Sequence, residues 1–348
     1  MRYFSFQVHI TDNCDQRCKH CYIFSGSKTH KLISMSPENF QKVLSNCVSF
    51  GERFQRQAYF YITGGDPILH PNFWEFLALL REHNIQFSIF GNPFHIDEEV
   101  CTRLKNLGCE NYQLSIDGTR QTHDWFRKTG SFDCTLSKIR CIKNSGLCSV
   151  IMTTVSRANI HEVPEIIDTV VEYGVDVYSF ARYCPTGSET SNGISPSEYR
   201  DFLRICDEKF RFYESQNCAT YFDRKDHLWT LYDYENGNFT IPNDSENGVI
   251  YSGCNCGNAH LTILPNCDVY ACRRVLSSKV GNALENNLSD LWLNELEKFR
   301  EYDKFAKCSR CELLGFCRGC PAVASGSCGG DFYAADPQCW KILEGDLI

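Results

Sequence analysis

Residues 1 to about 185 alternate two hydrophobic periods, and that alternation limits what the chain can fold into. Short runs rich in β-branched and aromatic residues read as strands: Phe4–Ile10, Ala58–Thr63, Gln86–Phe90, Tyr112–Ile116, Ser149–Val155 and Val175–Ala181. Between them lie stretches with helical spacing, namely Ser36–Phe50, Asn72–His83, Glu98–Leu107, Ser131–Ser145 and Val163–Tyr173. Ser36 is placed to cap the first helix with Pro37 behind it, and Gly108, Gly146 and Gly174 stand where helix C-caps are wanted. Six strand–helix units in a row make a parallel sheet with its helices outside. Six is fewer than the eight strands that close a full barrel. In such sheets ligands bind at the carboxyl ends of the strands, so the loops after the strands are expected to carry the chemistry.

The first of these loops is rich in cysteine. Cys14, Cys18 and Cys21 follow the first strand at x3 and x2 spacing, and Tyr22 comes directly after them. Three thiolates from one short loop can hold three irons of an iron–sulfur cube and leave the fourth iron open to a small molecule. The competing reading is a zinc knuckle with His20 as fourth ligand, because tetrahedral sulfur sites suit zinc as well. A second block begins at Cys254-Asn255-Cys256 and continues through Cys267 and Cys272. Then come Cys308-x2-Cys311-x5-Cys317-x2-Cys320-Pro321, Cys328 and Cys339, so that ten of the 22 cysteines lie between residues 254 and 339. The Pro265-Asn266 turn between two apolar runs reads as a hairpin that brings Cys254 and Cys272 together.

Composition narrows the field further. Hydrophobic residues make up 43% and charged residues 22%, enough for an ordinary core without disulfide staples. The formal net charge is −8 and no long basic run occurs, which argues against nucleic acid as a partner. The start of the sequence lacks the apolar stretch of a signal peptide, and no segment is apolar for long enough to span a membrane. The cysteines are therefore expected to work in a reducing compartment, the cytoplasm, as metal or redox groups.

The Cys14–Tyr22 loop resembles the cluster motif of the radical S-adenosylmethionine (SAM) superfamily. That likeness implies a (β/α)6 partial barrel, a 4Fe–4S cluster on Cys14, Cys18 and Cys21, and SAM chelated to the open iron. One electron then cleaves SAM to methionine and a 5′-deoxyadenosyl radical. Thr63-Gly64-Gly65-Asp66-Pro67 resembles the family's "GGE" segment, with Asp66 in place of the commoner glutamate. It implies that Gly64, Gly65 and Asp66 hold the SAM amino group. Asn92 corresponds to a family asparagine after the third strand. Leu114-Ser115-Ile116-Asp117-Gly118 resembles a segment in which Ser115 contacts SAM and Asp117 lies nearby. His123 to Arg127 and Gly130 to Asp133 continue the likeness, with Arg127 read either as a carboxylate or backbone clamp or as a solvated loop arginine. Arg182-Tyr183-Cys184-Pro185-Thr186-Gly187 resembles a segment near the SAM adenosine, in which Cys184 has no family role.

The second cysteine block resembles the SPASM domain, a carrier of two auxiliary 4Fe–4S clusters. By that likeness Cys254, Cys272 and Cys320 serve the first auxiliary cluster, with Cys256 as fourth ligand or, as alternatives, Cys267 or Cys328. Cys308, Cys311, Cys317 and Cys339 serve the second. Cys267 stands where the family has glycine, and Cys256 is an addition to the pattern. The implied division is a barrel over 1–187, a connector over 188–250 and a SPASM domain over 251–348. In the connector a helix is expected from Ser197 to about Glu214. Asp223, Asp226, His227 and Asp233 are expected at the solvated surface. Cys47, Cys101 and Cys141 are expected in the core.

The function implied is radical modification of a ribosomally synthesised peptide, forming a thioether or carbon crosslink on a precursor. A sulfatase-maturating enzyme and a non-enzymatic iron–sulfur or zinc scaffold are the alternatives. Expected partners are the precursor peptide or protein and a reduced ferredoxin or flavodoxin-type donor, with neither nucleic acid nor membrane. With the cluster motif beginning at Cys14, leader recognition is expected to fall to the barrel, the connector or a separate protein.

Overall fold

The structure is a computed structural model, which describes residues 3–24, 32–186, 191–246 and 248–343. The barrel part runs β1 (Tyr3–Thr11), α1 (Pro37–Phe54), β2 (Gln57–Gly64), α2 (Phe73–Glu82), β3 (Gln86–Phe90), α3 (Glu98–Asn106), β4 (Cys109–Ser115), α4 (Arg120–Phe126), α5 (Ser131–Asn144), β5 (Cys148–Val155), α6 (Val163–Glu172) and β6 (Val177–Arg182). After it come α7 (Pro196–Ser215), β7 (Tyr221–Asp223) and α8 (Trp229–Glu235). The chain ends with β8 (His260–Ile263), β9 (Asp268–Tyr270), β10 (Lys279–Asn282), α9 (Leu288–Asp290) and α10 (Pro321–Ser327).

All ten strands form one sheet in the order β10-β9-β8-β1-β2-β3-β4-β5-β6-β7. β1 to β6 pair in parallel and in chain order, as the alternation of periods requires. Two additions were not visible in the pattern. The connector is not merely irregular, because β7 extends the sheet in parallel beyond β6. The hairpin β8–β9 forms as expected, and β8 also lies parallel on the free side of β1, with Val8 beside Ile263. The C-terminal cysteine block is thereby joined to the strand that delivers the Cys14 loop. The expected boundary at 187/188, and Gly187 itself, lie outside the described residues.

The core follows from the period of two. On β1, Phe4, Phe6, Val8 and Ile10 turn to the helices and are buried, and Phe4 meets Phe50 of α1 with ring centres 4.4 Å apart. Ser5, Gln7 and His9 take the opposite, inner face. Ser36 caps α1 through a hydrogen bond from the Asn39 amide, and Ser195 with Glu198 forms a full capping box on α7. Cys47 and Cys101 are buried in this core and Cys141 packs against it, its sulfur 3.7 Å from that of Cys101.

The candidate SAM and iron–sulfur sites

The loop after β1 is held from two sides. On one side is the turn after β2. The Gly65 amide donates to the Thr11 carbonyl and the Asp66 amide to the Asn13 carbonyl, both at 2.7 Å. A Cβ on Gly64 would lie 2.1 Å from the Thr11 oxygen, and one on Gly65 2.1 Å from the Asn13 oxygen. Gly64 also has φ +141°, a conformation that favours glycine. The two glycines thus allow the backbone of the cysteine loop to approach, which is closer to home than the ligand approach expected of them.

On the other side is the segment after β4. Asp117 is completely enclosed, and its carboxylate accepts from Arg127 Nε at 2.6 Å and the Thr154 amide at 2.8 Å, with His20 Nε2 at 3.3 Å. Burial works to raise its pKa, but Arg127 and His20 outweigh it and hold the carboxyl below its ordinary range. Asp117, grouped with the SAM-pocket residues by the family likeness, therefore braces the loop from beneath. Arg127 is a carboxylate clamp and not a solvated arginine, with Nη1 3.9 Å from Cys18 Sγ. A second line runs from the Gln16 amide Nε2 to Ser131 Oγ, on to His123 Nε2, and from His123 Nδ1 to the Asp117 amide, each step at 3.1 Å. Gln16 and Ser131 had no assigned role in the sequence. Their only signal was that both lie inside stretches that carry the family likeness.

Asn92 links the parts. Its side-chain Nδ2 donates to Cys14 Sγ at 3.2 Å and faces Asp15 Oδ1 at 3.3 Å, while its amide donates to Asp66 Oδ1 at 3.4 Å. The Gln16 amide also donates to Cys14 Sγ, at 3.4 Å. Such N–H to sulfur bonds stabilise thiolates and tune an attached cluster. Ser115 ends β4 half-buried, and Tyr22 is half-buried with the Arg273 guanidinium 5.4 Å from its ring centre.

The donor set fits SAM and an iron–sulfur cluster. Asp66 is fully buried, and its Oδ2 has no hydrogen-bond partner. Burial pushes its carboxyl up to about 7, against the pull of the Asn92 amide. An unpartnered carboxylate oxygen beside the cysteine loop is a place for an ammonium group. Asp15, Asp66 and His95 form the only group of acid, imidazole or thiol ligands within 4.8 Å of one another among the described residues. No three cysteines are that close. Four thiolates on one zinc, at about 2.3 Å each, would be about 3.8 Å apart. The cysteines thus stand farther apart than thiolates on one zinc ion, and His20 Nε2 faces Asp117 while its Nδ1 has no hydrogen-bond partner.

The C-terminal cysteines gather in two pockets. Cys254, Cys256, Cys272 and Cys320 lie within one another's electrostatic reach, as do Cys308, Cys311, Cys317 and Cys339. Burial raises the thiol pKa in both groups. Cys267 lies apart from them at the hairpin turn with φ +65°, which explains why glycine is usual there. Cys328 is exposed at the end of α10. Cys184, unassigned by the sequence, lies within electrostatic reach of Cys320.

The neighbouring residues also depart from expectation. Arg182 is buried and grips Asp226 at 3.0 Å and Asp336 at 2.8 Å, so its side chain is a lock between chain segments. Asp226 is buried, and Asp233 pairs with Arg224 at 2.6 Å, so neither is a freely solvated surface group.

The family model of the radical SAM superfamily matches residues 8–170, and that of the SPASM iron–sulfur cluster-binding domain matches residues 254–321. The protein belongs to the radical SAM superfamily. It is a radical SAM enzyme with a SPASM domain, and its cofactors are SAM and 4Fe–4S clusters. Mycofactocin maturase MftC of Mycobacterium tuberculosis is 24% identical over 349 residues, spanning 95% of this chain and 81% of the relative. The AdoMet-dependent heme synthase of Methanosarcina barkeri is 24% identical over 347 residues, spanning 95% of this chain and 94% of the relative. Among solved structures, SuiB of Streptococcus suis bound to its precursor peptide SuiA superposes with a TM-score of 0.75 at 18% identity, over 97% of this chain and 76% of that one. No helix among the described residues of this radical SAM enzyme is long and apolar enough to cross a membrane.

Proposed function

We propose that this enzyme modifies a ribosomally synthesised peptide, by removing a hydrogen atom so that a thioether or carbon crosslink can form. The observation that carries the reading lies between the Cys14 loop and the first C-terminal cysteine pocket. Arg274 and Lys225 stand there, and among the described residues neither forms a close ion pair with a carboxylate, Asp223 acting on Lys225 only from a distance. Enclosure by the walls, then the neighbouring Arg274, lowers the Lys225 pKa. Arg273 adds a buried Nε without a hydrogen-bond partner. Buried or half-buried cations elsewhere in the chain, such as Arg127, Arg182 and Arg224, are paired with aspartate. Unpaired cations facing an open space suit a substrate that brings its own carboxylates, such as an acidic peptide segment. His9 and His260, pushed down to about 3 and about 4 first by burial, stay neutral beside them.

When bound at the reduced first cluster, SAM supplies the 5′-deoxyadenosyl radical that takes the hydrogen atom. The chain's own residues do the positioning. Asp66 accepts the ammonium group, Asn92 and Arg127 point N–H groups at the cluster thiols, and Asp117 fixes Arg127. Lys225 and Arg274 orient the substrate, and Tyr22 and His9 wall off water. We assign electron supply to a reduced ferredoxin or flavodoxin, and the cysteine content to a reducing compartment such as the cytoplasm. A second reading has a specific support. The heme synthase relative is matched over nearly its whole length, and a porphyrin with propionate side chains would satisfy the same cations.

The test is anaerobic turnover with SAM and reductant, presenting acidic peptides encoded beside the gene and, separately, Fe-coproporphyrin. A peptide product with changed mass, with 5′-deoxyadenosine formed in step and lost in the Cys14→Ala, Cys18→Ala and Cys21→Ala variants, is the expected result. Turnover of the porphyrin alone overturns the peptide reading. In Lys225→Met, KM for the substrate should rise while cleavage of SAM without substrate stays unchanged.

A further inference from the structure

A fifth thiol reaches the first C-terminal pocket from the barrel. Cys184 stands two residues beyond β6, is 6% exposed, and lies within electrostatic reach of the Cys320 thiol. Arg274 Nη1 lies 4.0 Å from its sulfur. Two further contacts fasten these segments together. Asp336 receives the Arg182 guanidinium at 2.8 Å and the Cys320 amide at 2.7 Å, so one carboxylate ties the end of β6 to Cys320. The helix that starts from Cys320, α10, also packs backbone to backbone on the residue after Cys184. A Cβ on Gly326 would lie 2.3 Å from the Pro185 carbonyl oxygen.

A 4Fe–4S cube takes four thiolates, and Cys254, Cys272 and Cys320 provide three. Cys256 is the nearby competitor for the fourth place, but its own backbone assigns it another part. Its amide donates to Cys254 Sγ at 3.4 Å. The Gln16 amide does the same for Cys14 at the same distance, also from two residues downstream. Cys256 thus occupies the place that a non-ligand fills in the first loop. One intervening residue is also shorter than the two-residue spacing of common cluster motifs.

We propose that Cys184 is the fourth ligand of the first auxiliary cluster, with Cys254, Cys272 and Cys320. It binds as thiolate, its proton leaving to solvent, and no electron changes hands. The cluster then bridges the barrel and the C-terminal domain. With every iron held by a protein thiolate, it carries electrons and does not bind substrate directly. The proposal rests on the SPASM identity and is independent of the peptide reading.

The experiment uses the full chain with Cys14, Cys18 and Cys21 all changed to Ala, reconstituted without oxygen, so that only auxiliary clusters contribute. About eight irons per chain are expected. Adding Cys184→Ala should remove about one iron and give the EPR signal of a three-iron cluster, or open one iron to added thiol or cyanide with a change in the Mössbauer spectrum. Adding Cys256→Ala should leave iron count and spectra unchanged. Cys184→Ser serves if the alanine variant does not fold, and should keep the iron while shifting the spectrum. Loss of the signature in Cys256→Ala but not in the Cys184 variants overturns the proposal, as does no change in any of them. Absence of auxiliary iron in the parent would overturn the cluster assignment itself, a distinguishable result.

Discussion

Replacing Asp66 by Asn should stabilise the SAM-free protein and cripple it toward SAM, and the size of both effects follows from where the carboxylate sits. In the folded chain burial lifts the Asp66 pKa from the ordinary 3.8 to about 7. The folded state therefore keeps its proton up to about pH 7, whereas the unfolded state gives it up near pH 4. Between those values the folded state holds more protons, so stability falls as pH rises, by about 1.4 kcal/mol per unit, and levels off above pH 7. The accumulated cost is about 2 kcal/mol at pH 5.5 and about 4 kcal/mol at pH 8. Asparagine has no such dependence. With an unfolding entropy of about 2.1 cal/mol/K per residue, 348 residues convert 1 kcal/mol into about 1.4 °C. The gap in melting temperature between Asp66→Asn and the parent should thus widen by about 3 °C between pH 5.5 and pH 8. The assay is anaerobic scanning calorimetry of the reconstituted proteins, first without and then with saturating SAM. With saturating SAM the gap should shrink, because removing one partner of a buried charge pair costs about 2 kcal/mol or more, a loss of at least about 30-fold in affinity. Melting curves that keep the same gap at both pH values, or unweakened SAM binding, would refute the reasoning.

Gly65→Ala drives a Cβ into the Asn13 carbonyl, so the Cys14 loop should lose its cluster while auxiliary iron remains. Iron analysis should give about eight atoms per chain in place of about twelve. Arg182→Met strips Asp226 and Asp336 of their buried partner, at a cost of about 3–5 kcal/mol. Thermal unfolding should shift down by about 4–7 °C. Cys267→Gly should leave the iron count and cluster spectra unchanged, because that cysteine stands at a left-handed turn away from both pockets.

The two layers of information divide cleanly by residue. Strand and helix periods along residues 1 to 185 were enough for the parallel order β1 to β6, because an amphipathic face has only the neighbouring element to bury against. Cysteine spacing was enough to mark the radical SAM loop and the C-terminal iron–sulfur domain, since ligands a few residues apart must converge locally. Gly64, Gly65, Asp66 and Asn92 could be singled out because they lie at or just beyond the ends of their strands.

What the tertiary structure alone decided lies in pairings between distant segments. Asp117, grouped with the SAM-pocket residues, turned out to brace the Cys14 loop through Arg127 and His20. Arg182, in a segment read as lying near the SAM adenosine, locks onto Asp336, 154 residues away. Asp226, read as solvated, is buried beneath it. β8 joins the far side of β1, and Cys184 meets Cys320. A charged or thiol side chain carries no local signal of the partner it will find. Its surroundings are set only when the sheet curls and brings the ends of the chain together, and burial then decides whether the group is a ligand, a brace or a lock. By itself the sequence determined the architecture and the chemistry of its metal loops, through short-range periodicity and spacing; which side chains hold those loops rigid was decided by long-range packing.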